Sequence, residues 1–203
     1  MKQTELVIRE ILYRAIENNE RKLTQSELSK SLGISLSIVN LAVRKLADIG
    51  AIKISKRSFT ILDIKKSLYF WASIRNFKKD IIFNTRIESN IREIERNMPE
   101  GIIFTAYSAY KFLFKEVPAD YSEIYIYSDK KSLETIKKRF MPDHEKRVSR
   151  ANLFILKKDN LINNHKEIPI AQLFVDLWNL SEWYAKEFII SLEKKIEDML
   201  EKK

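Results

Sequence analysis

The chain has 203 residues, 45% hydrophobic and 11% aromatic, enough to bury one large core or two small ones. It contains no cysteine, which excludes disulfide stapling and a thiolate metal site. No run of about 18 apolar residues occurs, so no membrane-crossing helix is expected, and the formal net charge of +9 favours a polyanionic partner.

The excess charge is unevenly placed. Residues 1–66 hold 13 Lys/Arg against 7 Asp/Glu, net +6, while residues 67–203 hold 24 against 21, net +3. Met1 leads straight into an amphipathic pattern with no signal-peptide layout, so a cytoplasmic protein is expected. Residues 4–18 form the first predicted helix, with Leu6, Ile8, Ile11, Leu12 and Ile16 placed to cover a core. Thr24 followed three residues later by Glu27 is a capping box, which starts a second helix at Gln25 with Leu28 and Leu32 one turn apart on its inner face. Gly33 can take the positive φ of a helix C-terminus, and the Ser35 hydroxyl can cap a third helix.

In that third helix Val39, Val43 and Leu46 fall at i, i+4 and i+7 and define an inward face. After Gly50, Ile52 and Ile54 alternate with Lys53, and Phe59 and Ile61 with Thr60, which predicts two short strands joined across Lys56-Arg57-Ser58. Helix, turn, helix and basic hairpin are the outline of a winged helix-turn-helix, whose second helix enters a DNA major groove. The DNA-binding candidates are Ser35, Ser37, Asn40, Arg44 and Lys45 on the helix, with Lys53, Lys56 and Arg57 on the hairpin. Asn and Arg offer bidentate hydrogen bonds to adenine and guanine, and a cationic tip suits phosphate or minor-groove contact. Leu36, Ile38 and Leu41 stand near the same side; they either touch thymine methyls or pack on another helix of this chain or of a partner.

Asp63 can cap a helix running to about Phe77, with bulky Leu68, Phe70, Trp71 and Ile74. The remainder alternates: a strand over 80–86, a helix over 88–97, a strand at 102–104, a helix over 105–114, a strand of alternating side chains over 123–127, a basic helix over 131–140 and a strand over 152–157. Two helices close the chain, at 169–179 and 181–201, the second capped by Ser181. The expected fold is mixed α+β, with a winged helix-turn-helix over 1–64 and a small sheet flanked by helices over 65–203. Its strand order is not decidable from the sequence.

Asp120, Glu123 and Asp129 flank the strand at 123–127 and are the candidates for a Mg²⁺-dependent nucleic-acid chemistry. Without a Gly-Ser turn and closely paired aspartates, each is read as a capping or surface carboxylate. His144 and His165 lack ligand partners at suitable spacing and are read as surface residues. Tyr107, Tyr110, Phe112 and Phe114 read as core. Lys137, Lys138, Arg139, Lys146, Arg147 and Arg150 form a second basic cluster, either a further DNA footprint or a solvated face. In the last helix Trp183, Tyr184, Phe188, Ile189, Leu192, Ile196, Met199 and Leu200 form an apolar stripe, to be buried within the chain or between two subunits.

The segments TAYSAYKFLF, ADYSEIYIYSD, ANLFILKKDN and PIAQLFVDLWNLSEWYAKEFIISLEKKI, following a winged helix, resemble the AbiEi family of transcriptional regulators, the antitoxins of type IV toxin–antitoxin systems. The most specific part is Ile168-Pro169 before a helix carrying Asp176-Leu177, then a second helix. The resemblance implies an autorepressor of its own operon, bound to double-stranded promoter DNA and functionally linked to a co-encoded nucleotidyltransferase-like toxin without stable direct binding. It implies no catalytic residue. The sequence therefore predicts a non-enzymatic DNA-binding regulator, monomeric or homodimeric, with no cofactor. A nucleic-acid-processing enzyme, or a catalytically dead nucleotidyltransferase-like remnant, is one alternative; a protein-docking winged helix is the other.

Overall fold

A computed structural model describes residues 1–140, 150–165 and 167–201. In chain order it contains α1 (Gln3–Ile16), β1 (Lys22–Leu23), α2 (Gln25–Leu32), α3 (Leu36–Asp48), β2 (Ile52–Ile54), β3 (Phe59–Ile61) and α4 (Ile64–Ile74). There follow β4 (Ile81–Thr85), α5 (Ile91–Arg96), β5 (Ile103–Thr105), α6 (Ala106–Phe114), β6 (Ile124–Ser128), α7 (Lys130–Phe140), β7 (Leu153–Lys157), α8 (Ile170–Trp178) and α9 (Ala185–Glu201). Short 3-10 turns occupy Phe77–Asp80 and Asn160–Asn164. The mixed α+β class is as expected: a helical N-terminal region closed by a hairpin, then a sheet flanked by helices.

Two compact units result, one of Met1–Arg75 with Pro169–Asn179 and Ile189–Lys203, the other of Asn76–Ile168 with Leu180–Phe188. This differs from the expected division at 64/65. The reason is the bulk of α4, whose Leu68 and Trp71 are buried against α1 and α8.

In the first unit Thr24 Oγ1 accepts from the Glu27 amide at 3.1 Å, and Gly33 ends α2 at φ +62, a conformation that costs glycine little. Val7, Ile8, Ile11 and Leu12 of α1 meet Val39, Val43 and Leu46 of α3 in a core closed by Phe59 and Ile61. The hairpin gains a strand the sequence did not announce: β1 pairs antiparallel with β3, giving the order β1-β3-β2. In β2 Ile52 is buried and Ile54 is 46% exposed. Asp63 caps α4 through the Lys66 amide at 2.8 Å, but the helix ends at Ile74, because Arg75 turns extended and buries its guanidinium. Here lies a buried polar network. Arg75 reaches Glu5 at 3.7 Å and Asp176 at 3.8 Å, the Trp71 indole donates to Glu5, and Arg9 donates to Gln172 Oε1 at 2.8 Å.

The second unit is a four-stranded sheet of order β4-β7-β6-β5, with β6 and β7 parallel and the outer pairs antiparallel. Ile124, Ile126, Leu153 and Ile155 face Ile94 of α5 and Ile136 of α7. Tyr125 lies on the opposite side, stacked on Phe154 and beside Phe77 and Tyr107. Because β6 is central and covered on both faces, all five of its residues are buried, and its alternation marks two interiors, not an inside and an outside. Tyr107 and Tyr110 are core as expected, whereas Phe112 is partly exposed. The cap expected from Ser181 is absent, since α9 begins at Ala185. In the apolar stripe Phe188 is buried among Tyr107, Tyr110 and Tyr121 but Trp183 is 78% exposed.

Glu123 corrects its reading as a surface or capping carboxylate, for it is 2% exposed. The Tyr184 hydroxyl and Ser122 Oγ donate to it, with Arg150 at 3.4 Å. Burial pushes its carboxyl up, and the charge of Glu182 adds to this. Asp129 does cap: its Oδ1 accepts from the Ser132 amide at 2.8 Å, a bond that holds its carboxyl below the usual range.

Asp176→Ala leaves Arg75 without one of its buried anionic partners and is expected to cost about 3–5 kcal/mol in urea unfolding. For Glu123 the folded carboxyl titrates above the unfolded one. Its contribution is therefore fully present below the unfolded pKa and lost as pH rises through the folded value. Glu123→Gln, which keeps an acceptor for Tyr184, should unfold at a higher temperature than wild type above that pH. The gap should narrow on acidification; a gap independent of pH would contradict the buried charge.

Candidate nucleic-acid interface

The interface is built on α3. Val39, Ala42, Val43 and Leu46 bury one side of the helix, which turns Ser37, Leu41 and Arg44 outward, with Leu36, Asn40 and Lys45 flanking them. Ser37, Arg44 and Lys45 are exposed. The angle between α2 and α3 is set by Gly33 and by two hydrogen bonds. Ser29 Oγ donates to the Ile34 carbonyl at 2.7 Å, and Asn40 Nδ2 donates to Gln25 Oε1 at 3.0 Å.

Two candidates are thereby recast. The expected Ser35 side-chain cap is not formed; its Oγ lies 3.0 Å from Ser37 Oγ, and both residues remain exposed. Asn40 is half-buried and its amide nitrogen is engaged by Gln25, a residue the sequence reading missed. The available signal was its position as the first residue of α2, but side-chain pairing across a turn has no pattern in sequence.

The hairpin supplies the rest. The Ser55 amide donates to the Ser58 carbonyl at 2.8 Å, closing the tip on which Lys56 and Arg57 are exposed, and Lys53 is exposed on β2. Among the described residues no carboxylate forms an ion pair with Arg44, Lys45, Lys53, Lys56 or Arg57. Arg14 is different: it is held by Glu10, Glu27 and Ser31 between α1 and α2. Five open cations on one helix and its neighbouring hairpin form a surface suited to phosphates.

The other candidates are not brought together. Asp120 is exposed, Asp129 caps α7 and Glu123 is enclosed. Among the described residues no group of three His, Cys, Asp or Glu could hold a metal ion. His165 is half-buried, while His144, Lys146 and Arg147 lie outside the described residues. Lys137, Lys138 and Arg139 end α7, with Lys137 Nζ 5.3 Å from the Phe83 ring centroid and 3.4 Å from Glu134. No helix among the described residues is long and apolar enough to cross a membrane.

Three helices with an antiparallel hairpin, open cations and an exposed second helix of the turn define a winged helix-turn-helix. Residues 7–53, from within α1 to within β2, match a family described as winged helix-turn-helix DNA-binding. Neither the curated proteins nor the solved structures gave a match. The N-terminal region is thus a DNA-binding winged helix.

Arg44→Ala should cost about 1–3 kcal/mol on the preferred duplex and relax specificity at one base pair. The double variant Lys56→Ala/Arg57→Ala should weaken binding to all duplexes and lower the slope of log affinity against log salt by about 2. An unchanged slope would place the hairpin away from the phosphates.

Proposed function

We propose that this chain is a non-enzymatic, sequence-specific transcriptional regulator that represses its own operon as the antitoxin partner of an AbiEi-like system. The observation carrying the regulator reading is the open cationic face of α3 and the hairpin, on a domain whose family match is to DNA binding. Supporting the antitoxin role are the strand–helix succession of the second unit and the closing pair of helices. Ile168-Pro169 precede α8, and Asp176-Leu177 end it but for Trp178, ahead of α9. On this reading the partner is double-stranded promoter DNA. The link to a neighbouring nucleotidyltransferase-like toxin is functional, without stable direct binding, and the protein works as a monomer or homodimer.

The promoter of this gene should bind far more tightly than random duplex of equal length at about 150 mM salt, where non-specific binding falls to the micromolar range or weaker. Fused to a reporter, that promoter should be repressed by the protein and released by Arg44→Ala. Equal affinity for both duplexes would end the regulator reading. If co-expression failed to relieve the growth arrest caused by an adjacent toxin gene, the antitoxin role alone would fall.

A further inference from the structure

We infer that Leu41, and Leu36 at the start of the same helix, read thymine methyl groups, so that the preferred site places thymine next to a guanine held by Arg44. The inference rests on the DNA-binding reading above and names what that site recognises.

Leu41 is 47% exposed on the side of α3 that the core leaves outward, and Leu36, the first residue of the helix, is 53% exposed on its flank. An apolar side chain there is covered by whatever the helix meets. Its surroundings select the occupant: Arg44, Lys45, Lys53, Lys56 and Arg57 are exposed and lack carboxylate partners among the described residues. The one acidic residue of α3, Asp48, is its last residue. Charge complementarity therefore favours a polyanion over a second copy of a chain that is itself strongly basic. In a major groove the apolar group on offer is the thymine methyl, and thymine is the base that carries it.

The polar inventory of the same face points the same way. Asn40, the side chain suited to bidentate reading of adenine, is half-buried and held toward α2 by one of its amide hydrogens, which it donates to Gln25. An A·T pair is then distinguished through its thymine. Arg44 keeps its full set of donors for guanine O6 and N7. Leu41 and Arg44 are three residues apart, about 4.5 Å along the helix axis, close to one base step of roughly 3.4 Å. Leu36 lies about 7.5 Å from Leu41 along the axis, some two steps away.

The test uses the full chain and duplexes enriched from a random pool. In the best duplex each thymine is replaced in turn by deoxyuridine, which removes the methyl and keeps the base pair. Affinity should fall about fourfold at each of two thymines, the equivalent of one buried methyl group, and about fifteen-fold for both. Thymines elsewhere should show no effect. Leu41→Ala, at an exposed position that leaves the melting temperature unchanged, should bind more weakly and respond less than twofold to deoxyuridine at its own thymine.

Tight, selective binding that is indifferent to deoxyuridine would overturn the methyl inference and leave the DNA reading standing. No enrichment of any duplex would overturn both. Self-association that sedimentation shows to vanish in Leu41→Ala, with DNA binding unaltered, would assign this face to a second copy and overturn the inference as well.

Discussion

The first unit depends on a buried ionic contact. Glu5, Arg75 and Asp176 are almost wholly withdrawn from solvent, and they sit on α1, the end of α4 and α8. Removing three charges from water is costly, and their attraction offsets that cost only when the geometry is held. The Trp71 indole on Glu5 and the Arg9–Gln172 bond hold it, so the three helices have one way to meet. A hydrophobic replacement could be as stable and would say less about which helix belongs where. This contact makes α8 part of the DNA-binding unit although some hundred residues separate it from α4. The Glu17 carboxylate, accepting from the Ile170 amide at 2.7 Å, fixes the start of the same helix.

From that base the interface is arranged outward. α1 fixes α3 through Val39, Val43 and Leu46, α2 fixes its tilt through Gly33 and the Asn40–Gln25 bond, and β3 holds the hairpin from both edges. Each constraint uses polar or apolar groups on the inner side, leaving the outer cations uncommitted. Arg14 shows the contrast, since a guanidinium held by Glu10, Glu20, Glu27 and Ser31 stiffens α1 against α2 and is no longer open to phosphate.

Much of the fold was legible because it is local. Thr24 with Glu27, Gly33, and Asp63 each act within four residues, and the 3.6-residue stripes of α1 and α3 need no knowledge of their partners. What failed was non-local. Ile52 and Ile54 alternate alike with Lys53, yet one is buried and the other exposed. Ile and Tyr alternate in β6 as a half-buried strand would, yet both faces are interior. Ser35, sequentially a good cap, bonds Ser37 instead. Ala106 takes φ +52 at the turn from β5 to α6, where glycine would be anticipated, and no residue type announced it. In the site the residue types were legible and their availability was not. That Asn40 is engaged is decided by Gln25, fifteen positions away.

The carboxylates of the second unit complete the contrast in charge. Glu95 accepts from both Tyr121 and Lys111, Glu123 is enclosed by Tyr184, Ser122 and Arg150, and Asp129 is tied to the first turn of α7. A carboxylate serving a metal or a proton transfer must reach its substrate, and these three face donors of their own chain. The tyrosines around Glu123 are pressed the same way: burial, together with Glu182, holds Tyr107 and Tyr125 well above the ordinary phenol range. Tyr107 donates to Glu182, and both rings pack against neighbouring aromatic side chains. These three negative charges are consumed internally, and in the winged helix five cations are left outward. A net charge of +9 thereby becomes a directed surface and not a diffuse one, and it is that direction, more than the total, which selects a nucleic acid.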